Sequence, residues 1–236
     1  MGVTIREMIS TSITKENQLK ILNSRIAYKV SLLTNAQKEQ LIKKGINDKD
    51  VLRAIYLIPR HFFIHPNFKD FAYRDEAFPI DENQTISQPY TVAFQTQLLK
   101  IKKNDNVLEV GTGSGYQTSI LVFLKANVYT FERIHKLYRK SKSLLNKLKL
   151  NPKEISWSDG YDLKYSKEFF DKILVTAACE EVPTHFLELL KVGGEILLPL
   201  GKENQKMTLI KRESKNKFLK KEYGDFSFVP FLKDKC

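Results

Sequence analysis

The segment VLEVGTGSGYQ, from Val107 to Gln117, decides the fold class of this chain. Three of its first four residues are apolar and two are β-branched, which is typical of a central strand in a parallel sheet. Three alternating glycines follow, Gly111, Gly113 and Gly115, and glycine lets a backbone turn sharply against a ligand. We expect a strand, a cofactor-binding turn and a helix from about Tyr116. For a glycine run alone, a surface turn is the alternative.

The spacing of the glycines indicates which cofactor this turn binds. A dinucleotide-binding turn has its third glycine three residues after the second, and that position is Tyr116 here. Glu109 instead puts a carboxylate beside the turn, where it would repel a pyrophosphate and attract a cation. S-adenosylmethionine carries an ammonium and a sulfonium group and has no phosphate. The pattern therefore favours S-adenosylmethionine.

Two more acidic residues follow predicted strands. Glu132 ends a strand expected over Asn127 to Phe131, about 20 residues past the turn, where a carboxylate usually accepts from ribose hydroxyls. Asp159 and Gly160 follow a short strand around residues 155–157, where an adenine amino group could be bound. Each acid alone has a simpler explanation as a solvated loop residue. Acids at three successive strand ends favour a cofactor site.

Composition limits the class of protein. With 236 residues, the chain is long enough for one α/β core and a modest extra segment. It has no run of 18 apolar residues and no signal-peptide core, so we expect a soluble, cytoplasmic protein. Cys179 and Cys236 form no C-x-x-C pair, and the four histidines lack metal-ligand spacing. We therefore expect no bound metal.

The net charge of +12 raises the alternative of a nucleic-acid partner. Only eight of the 39 basic residues are arginine, the residue that best makes bidentate contacts with phosphates and bases. The basic residues are also spread along the chain, with mild clusters at 136–149 and 211–221. Solvated helix and hairpin faces explain this distribution, and we expect no nucleic-acid partner.

The N-terminal part of the chain is predicted to be helical. Residues 1–35 form an extension with an amphipathic helix over 15–33, followed by helices over about 36–44 and from a cap at Asn47 or Asp48 to Leu57. An irregular stretch of 59–90 then contains several prolines and many aromatic residues, and loops of this length often carry function. The apolar stripe of the first helix consists of Leu19, Leu22, Ile26, Val30 and Leu33.

After the glycine turn, strand and helix patterns alternate. This order predicts an α/β fold with a doubly wound, mostly parallel sheet that ends in antiparallel strands. The expected elements are a helix at 134–148, a strand at 172–176, a helix at 183–191, a turn at Gly193 and Gly194, and strands at 195–200, 207–212 and 217–223.

These motifs resemble the protein-L-isoaspartate O-methyltransferase family from about Gln37 to Leu232. The matching segments are QLIKKGI, VLRAIYLIPRHFF, AYRDEAFPI, QTISQPYTVA, the glycine turn, SDG, ILVTAA and GDFSFVPFL. The segment TISQP is the most diagnostic, because methyltransferases in general do not carry it. The resemblance implies a class I S-adenosylmethionine-dependent methyltransferase fold over residues 36–236, with a covering segment at 36–100 and a cofactor-binding core at 101–236. It also implies methylation of isoaspartyl carboxylates in damaged proteins, a repair reaction.

The resemblance also implies roles for individual residues. Ser87 would be the catalytic serine, although a turn serine ahead of Pro89 is the simpler interpretation of that position alone. The cofactor-binding residues would be Ile80, Asp81, Glu82, Asn83, Val92, Glu109, Gly111, Gly113, Gly115, Glu132, Arg133, Asp159 and Gly160.

The chain departs from the family pattern after VTAA, where it has Cys179, Glu180 and Glu181. These two acids would either repel a negatively charged acceptor or cap the helix expected from Pro183. Two other functions stay open. One is a nucleic-acid methyltransferase, although the Asn/Asp-Pro-Pro-aromatic loop typical of amino-group methylation is missing here. The other is a diverged family member with a different carboxylate substrate or no turnover.

Overall fold

The predicted strand before the glycine turn lies at the centre of a seven-stranded sheet. The computed structural model describes residues 25–161, 163–234 and 236, with side chains from residue 32 onward. The strands are β1 (Phe78–Pro79), β2 (Thr85–Ile86), β3 (Asn106–Val110), β4 (Asn127–Glu132), β5 (Glu154–Trp157), β6 (Phe170–Val175), β7 (Leu190–Leu200), β8 (Gln205–Ser214) and β9 (Lys217–Phe226).

The large sheet has the order β5-β4-β3-β6-β7-β8-β9. Strands β3 to β7 pair in parallel, whereas β8 and β9 are antiparallel, as the sequence predicts. The chain runs outward from β3 to β5 and then returns to β6 on the other side of β3. The segments after β3 and β6 therefore diverge and leave a crevice at the carboxyl ends of the strands, the usual ligand position in such sheets.

Helices cover both faces of this sheet. They are α1 (Arg25–Lys43), α2 (Lys49–Leu57), α3 (Pro89–Leu99), α4 (Tyr116–Phe123), α5 (His135–Leu148) and α6 (Thr184–Leu189). On one face, residues of α3 and α4 such as Leu99 and Leu121 pack against Val107 and Val128. On the other, Phe186 of α6 packs with Leu108 and Val110. This arrangement confirms the doubly wound α/β fold.

The helix boundaries expected near the N-terminus are partly wrong. Helix α1 is continuous from Arg25 to Lys43, so the break expected between residues 33 and 36 does not occur. Thr34, Gln37 and Leu41 form its buried stripe across that position. Leu19 and Leu22 of the predicted stripe lie outside the described residues, as do the side chains of Ile26 and Val30. The division into an extension and a domain at residue 35 stays a prediction.

Helix α2 begins as predicted. The Asp48 carboxylate accepts hydrogen bonds from the backbone N–H groups of Asp50 and Val51, which caps the helix. Later in the chain, β7 begins at Leu190 rather than after the glycines. Its pairing with β6 breaks between Leu190 and Glu195, so Gly193 and Gly194 form a bulge within the strand instead of a turn before it.

The stretch from Pro59 to Tyr90 is largely irregular, as expected. It contains two 3₁₀ segments, Arg60–Phe62 and Pro66–Phe71, and the small antiparallel pair β1–β2. Helix α3 follows with Pro89 in its first turn. No helix among the described residues is long and apolar enough to cross a membrane. The cytoplasmic location stays a prediction.

Candidate active site

A cavity opens at the crevice between the β3 and β6 ends. One side, the strand-end wall, consists of residues that follow β3, β4, β5 and β6. The opposite side, the covering wall, consists of residues from the β1–β2 connection to α3. The strand-end wall comprises Val110 to Ser114, Phe131 to Ile134, Ser158, Asp159, Thr176 and Ala177; the covering wall comprises Asn83 to Ser87, Val92 and Gln95.

The glycine turn forms the centre of the strand-end wall. Gly111 has a φ of +99°, and a Cβ at this position would lie 2.3 Å from Thr176 Oγ1. That hydroxyl lies 2.8 Å from the Gly111 carbonyl oxygen, so the turn is held directly against the segment after β6. Gly113 has a φ of +53° and also lines the cavity. Both glycines are therefore required by backbone conformation, and Gly111 also by space.

Glu132 is held at the cavity edge by backbone donors. Its Oε2 accepts from the Gly113 N–H at 2.8 Å, and its Oε1 accepts from the Ile134 N–H at 2.9 Å. Burial raises the pKa of Glu132, while these two hydrogen bonds favour its charged form. A carboxylate oxygen can accept more than one hydrogen bond, so Glu132 keeps acceptor capacity for hydroxyl groups in the cavity. Its neighbour Arg133 also lines the cavity.

Asp159 is fixed by two chain segments. Its Oδ1 accepts from the Tyr161 N–H at 3.0 Å, and its Oδ2 accepts from the Asp234 N–H at 3.1 Å. Residues just before Asp234 complete the cavity, because Val229 to Leu232 line it beside both walls. The Phe231 N–H donates to the carbonyl oxygen of Ala178, which anchors this C-terminal segment after β6.

Glu109 does not line the cavity, contrary to the expected position beside the ligand. Side chains alternate along a strand, so Glu109 shares a face with Val107 and points towards α4. It is fully buried, and its Oε2 accepts from the Thr118 hydroxyl at 2.5 Å. Burial raises the pKa of Glu109 to about 7, although hydrogen bonds from Thr118 and Thr130 oppose this shift. The Glu109 side chain is thus packed between the sheet and α4.

Two predicted cofactor residues lie outside the cavity for packing reasons. Gly115 caps the N-terminus of α4, and a Cβ there would lie 3.3 Å from Leu145 of α5. Gly160 is buried against Val110, whose Cγ1 would be 2.9 Å from an added Cβ. The glycine requirement at these positions comes from positive φ angles of +85° and +83° together with the neighbouring side chains.

The covering wall contains some of the residues predicted for it. Ser87, Val92 and Asn83 line the cavity. Ile80, Asp81 and Glu82 do not: the Asp81 carboxylate pairs with Lys140 of α5, and Glu82 pairs with Lys136 at 2.6 Å. These ion pairs tie the β1–β2 connection to α5 on the far side of the glycine turn. The cavity-lining residues of this connection are instead the next ones along the chain, Gln84, Thr85 and Ile86.

Long-range hydrogen bonds position the covering wall. The side chain of Asp75 is only 2% exposed, and its Oδ1 accepts from the Tyr90 N–H at 2.7 Å. Its Oδ2 accepts from Lys44 Nζ at 2.6 Å. Since Tyr90 lies in the first turn of α3, Asp75 satisfies an N–H group that the helix leaves unpaired. The same contact fixes the start of α3, two residues after Ser87.

Several cavity-lining residues were missed by the sequence analysis. A polar residue in the first turn after a glycine-rich loop is a signal that could have found Gln117, since such a turn faces the ligand crevice. No local pattern points to the residues from the C-terminal segment, because only tertiary folding brings them here. The missed residues are Gln84 to Ile86, Gln95, Val110, Thr112, Ser114, Tyr116, Gln117, Phe131, Ile134, Ser158, Thr176, Ala177 and Val229 to Leu232.

Known proteins share this arrangement of sequence and fold. Residues 33–235 match the model of the protein-L-isoaspartate(D-aspartate) O-methyltransferase family. The chain belongs to this family. A protein-L-isoaspartate O-methyltransferase of Christiangramia forsetii is 54% identical over 203 residues, which cover 84% of this chain and 95% of that protein. One from Vibrio vulnificus is 41% identical over 204 residues, with coverage of 85% and 98%.

A solved structure agrees with the family assignment. It is a Plasmodium falciparum protein described as a protein-L-isoaspartate O-methyltransferase in complex with S-adenosyl-L-homocysteine. The TM-score is 0.74 at 25% identity, and the match covers 84% of this chain and 98% of that one. The class I methyltransferase fold expected from the sequence is therefore confirmed.

Glu180 and Glu181 lie beside the cavity. They line an open cleft that shares Pro230, Phe231 and Leu232 with it. The helix-capping explanation is wrong, because Pro183 occupies the N-cap of α6 and no side-chain hydrogen bond caps it. Glu180 lies 3.8 Å from Lys202 Nζ, which partly offsets its charge. Repulsion of a negatively charged acceptor by these acids stays a prediction.

Proposed function

We propose that this protein transfers a methyl group from S-adenosylmethionine to the carboxylate of L-isoaspartyl residues in damaged proteins and peptides. The observation that carries the proposal is that Ser87 lines the same cavity as the glycine turn, Glu132 and Asp159. Membership of the family supports the reaction, and the S-adenosyl-L-homocysteine in the Plasmodium falciparum structure supports the cofactor.

The polar groups of the strand-end wall fit such a cofactor. Glu132 offers carboxylate oxygens to ribose hydroxyls, and Asp159 offers an acceptor to an adenine amino group. Gly111 and Gly113 form the turn that lines the cavity, and their positive φ angles bring its backbone to the cavity wall. We infer binding roles for these residues and for Asn83, Val92 and Arg133. Glu109, Gly115 and Gly160 do not line the cavity, and we infer that they stabilise the segments that do.

The acceptor needs no general base. A carboxyl group of this kind has a reference pKa of about 3.9, so it is ionised at neutral pH and already nucleophilic. Bound S-adenosylmethionine supplies an electrophilic methyl group on its sulfonium. What the protein must do is align the two groups and exclude water, and alignment of this sort can contribute about 7 to 11 kcal/mol.

Ser87 is the proposed catalytic residue. Its hydroxyl can donate one hydrogen bond to the acceptor carboxylate and so orient one oxygen towards the methyl group. A hydroxyl does not take a proton from this acceptor, which has none to give. The C-terminal segment at Val229 to Leu232 covers the same region and would limit the access of water.

Paired peptides that differ only in an aspartyl or isoaspartyl linkage test this function. Methyl transfer to the isoaspartyl peptide, with release of methanol after base treatment, is expected, because a carboxyl ester is base-labile and an N-methyl base is not. Ser87→Ala should lower this turnover at least tenfold and leave the Kd for S-adenosylhomocysteine nearly unchanged. Equal methylation of both peptides, or of neither, would contradict the proposal. Wild-type turnover in Ser87→Ala would contradict only the role of the serine.

A further inference from the structure

Gln117, which lines the cavity, carries a buried side-chain oxygen that has no partner among the described residues. This residue lies in the first turn of α4, is 8% exposed and lines the cavity. Its Oε1 atom is buried and accepts no hydrogen bond from the described residues. Buried polar atoms are rarely left unpaired in folded proteins. Of the five without a partner among the described residues, only Gln117 Oε1 and the Tyr116 hydroxyl belong to cavity-lining residues, where a ligand could supply the missing partner.

The direction of this amide is determined by its neighbour on α3. The Thr96 hydroxyl donates to the Val92 carbonyl oxygen at 2.7 Å, and Gln117 Nε2 lies 3.0 Å from the same hydroxyl. A hydroxyl has one proton, so Thr96 can only accept from Gln117. With the opposite amide orientation, Gln117 Oε1 would face the Thr96 hydroxyl oxygen, and neither atom would have a proton to donate. The Gln117 oxygen is therefore held as a fixed acceptor.

We propose that Gln117 Oε1 accepts a hydrogen bond from the ammonium group at the methionine end of S-adenosylmethionine. This inference rests on the proposed function and names a binding residue for it. Through Thr96 and Val92, Gln117 is attached to α3, which begins two residues after Ser87. The methionine end of the cofactor must reach the Ser87 side, since methyl transfer takes place there.

The charges around the cavity support an ammonium donor. Among the described residues that line it, the only carboxylates are Glu132, the last residue of β4, and Asp159, which follows β5. Glu109 is fully buried between the sheet and α4 and does not line the cavity. On the α3 side, the acceptors offered to a cation are neutral amide oxygens. Gln95 also lines the cavity there, and Gln117 is the amide whose buried oxygen has no partner among the described residues. The acceptor carboxylate of a substrate has no proton to donate and would be repelled by this oxygen.

Binding of two ligands tests this assignment without turnover. S-adenosylhomocysteine has the ammonium group, and 5′-methylthioadenosine lacks the whole amino-acid end. Isothermal titration of Gln117→Met should show at least a tenfold weaker Kd for S-adenosylhomocysteine and less than a twofold change for methylthioadenosine, because a hydrogen bond to a charged group is lost. Gln117→Glu keeps an acceptor oxygen towards the cavity but loses the donor to Thr96, so it should bind S-adenosylhomocysteine more tightly than Gln117→Met does.

Thr96→Val provides a second variant that leaves Gln117 in place. It removes the partner that orients the amide, so the Kd for S-adenosylhomocysteine should rise by a smaller factor than in Gln117→Met. Equal losses for both ligands, or an unchanged Kd with a raised KM for the peptide, would overturn the inference. Failure of the proposed function is distinguishable, because it would appear in the wild type, as absent S-adenosylhomocysteine binding or absent isoaspartyl methylation.

Discussion

The two walls of the cavity are held in different ways. In the strand-end wall, hydrogen bonds join the ends of neighbouring parallel strands, as when the Gly111 and Thr112 N–H groups donate to the Phe131 carbonyl oxygen. The covering wall is held by contacts such as Lys44 to Asp75 and Gln97 to the Asn47 N–H, across 31 and 50 positions of the chain. Regular sheet geometry therefore builds the cofactor side, whereas tertiary packing builds the side that carries Ser87.

The largest expected effect is in the strand-end wall. Gly111→Ala should destabilise the protein by about 3 kcal/mol or more, because it combines a left-handed backbone with overlap against Thr176. Gly193→Ala is the matched control, since Gly193 has a φ of +84° but open space around its Cβ position. It should cost only about 1 to 2 kcal/mol. Urea denaturation measures both, and equal losses would show that contact with the β6 end does not constrain the turn.

The next effect concerns Glu109, whose side chain is packed between the sheet and α4. The pKa of Glu109 is raised from 4.5 to about 7 by burial, so its contribution to stability is fully present below pH 4.5 and is lost as the pH rises through 7. The loss should reach up to about 3 kcal/mol. Glu109→Gln should therefore unfold with a flatter pH dependence between pH 5 and 8 than the wild type.

Cofactor affinity sharpens this test, because Glu109 lies outside the cavity. The Kd of Glu109→Gln for S-adenosylhomocysteine at pH 8 should stay within about threefold of the wild type, a change of less than 1 kcal/mol. Burial also raises the pKa of Glu132, so the stability of both the wild type and Glu109→Gln should still fall somewhat as the pH rises. If Glu109→Gln had normal stability but a much weaker affinity for S-adenosylhomocysteine, Glu109 would contact the cofactor after all.

The smallest effect is expected in the covering wall. Asp75→Ala removes the acceptor for the Tyr90 N–H and the partner of Lys44, which should cost about 2 kcal/mol of stability. Because α3 then loses its fixed start, kcat for an isoaspartyl peptide should fall several-fold while S-adenosylhomocysteine affinity changes little. Asp75→Asn keeps one acceptor oxygen and should recover most of the turnover. If affinity falls as much as kcat, the two walls are not independent.

Local patterns predicted part of the strand-end wall, although Ser158, Thr176 and Ala177 were missed. The glycine spacing, the apolar strands and the acids at their ends are short-range signals, and Gly111, Gly113, Glu132 and Asp159 all line the cavity. Glu109 was expected beside the ligand because the acidic residue was related to the loop, whereas its alternation with Val110 places its side chain on the other face of β3; its role in cofactor binding stays a prediction. Strand alternation was thus the better guide to this side chain.

The covering wall was less predictable for a physical reason. The resemblance located Ser87 and Val92, but the cofactor residues were expected at Ile80 to Glu82 and the cavity is lined from Asn83 onward. That difference depends on the ion pairs between the β1–β2 connection and α5, whose partners are more than 50 positions apart. No local pattern encodes such a contact.

The C-terminal segment that completes the cavity has a consequence for protein synthesis. Cavity-lining residues run from Asn83 to Leu232, so the complete site cannot form until the ribosome has passed Leu232. At roughly 5 to 20 residues per second, that interval lasts on the order of ten seconds. For most of this time, once Gly115 has been synthesised, the nascent chain has the glycine turn and Ser87 but lacks the segment that encloses them, and the full binding energy of the cofactor is not available to help it fold.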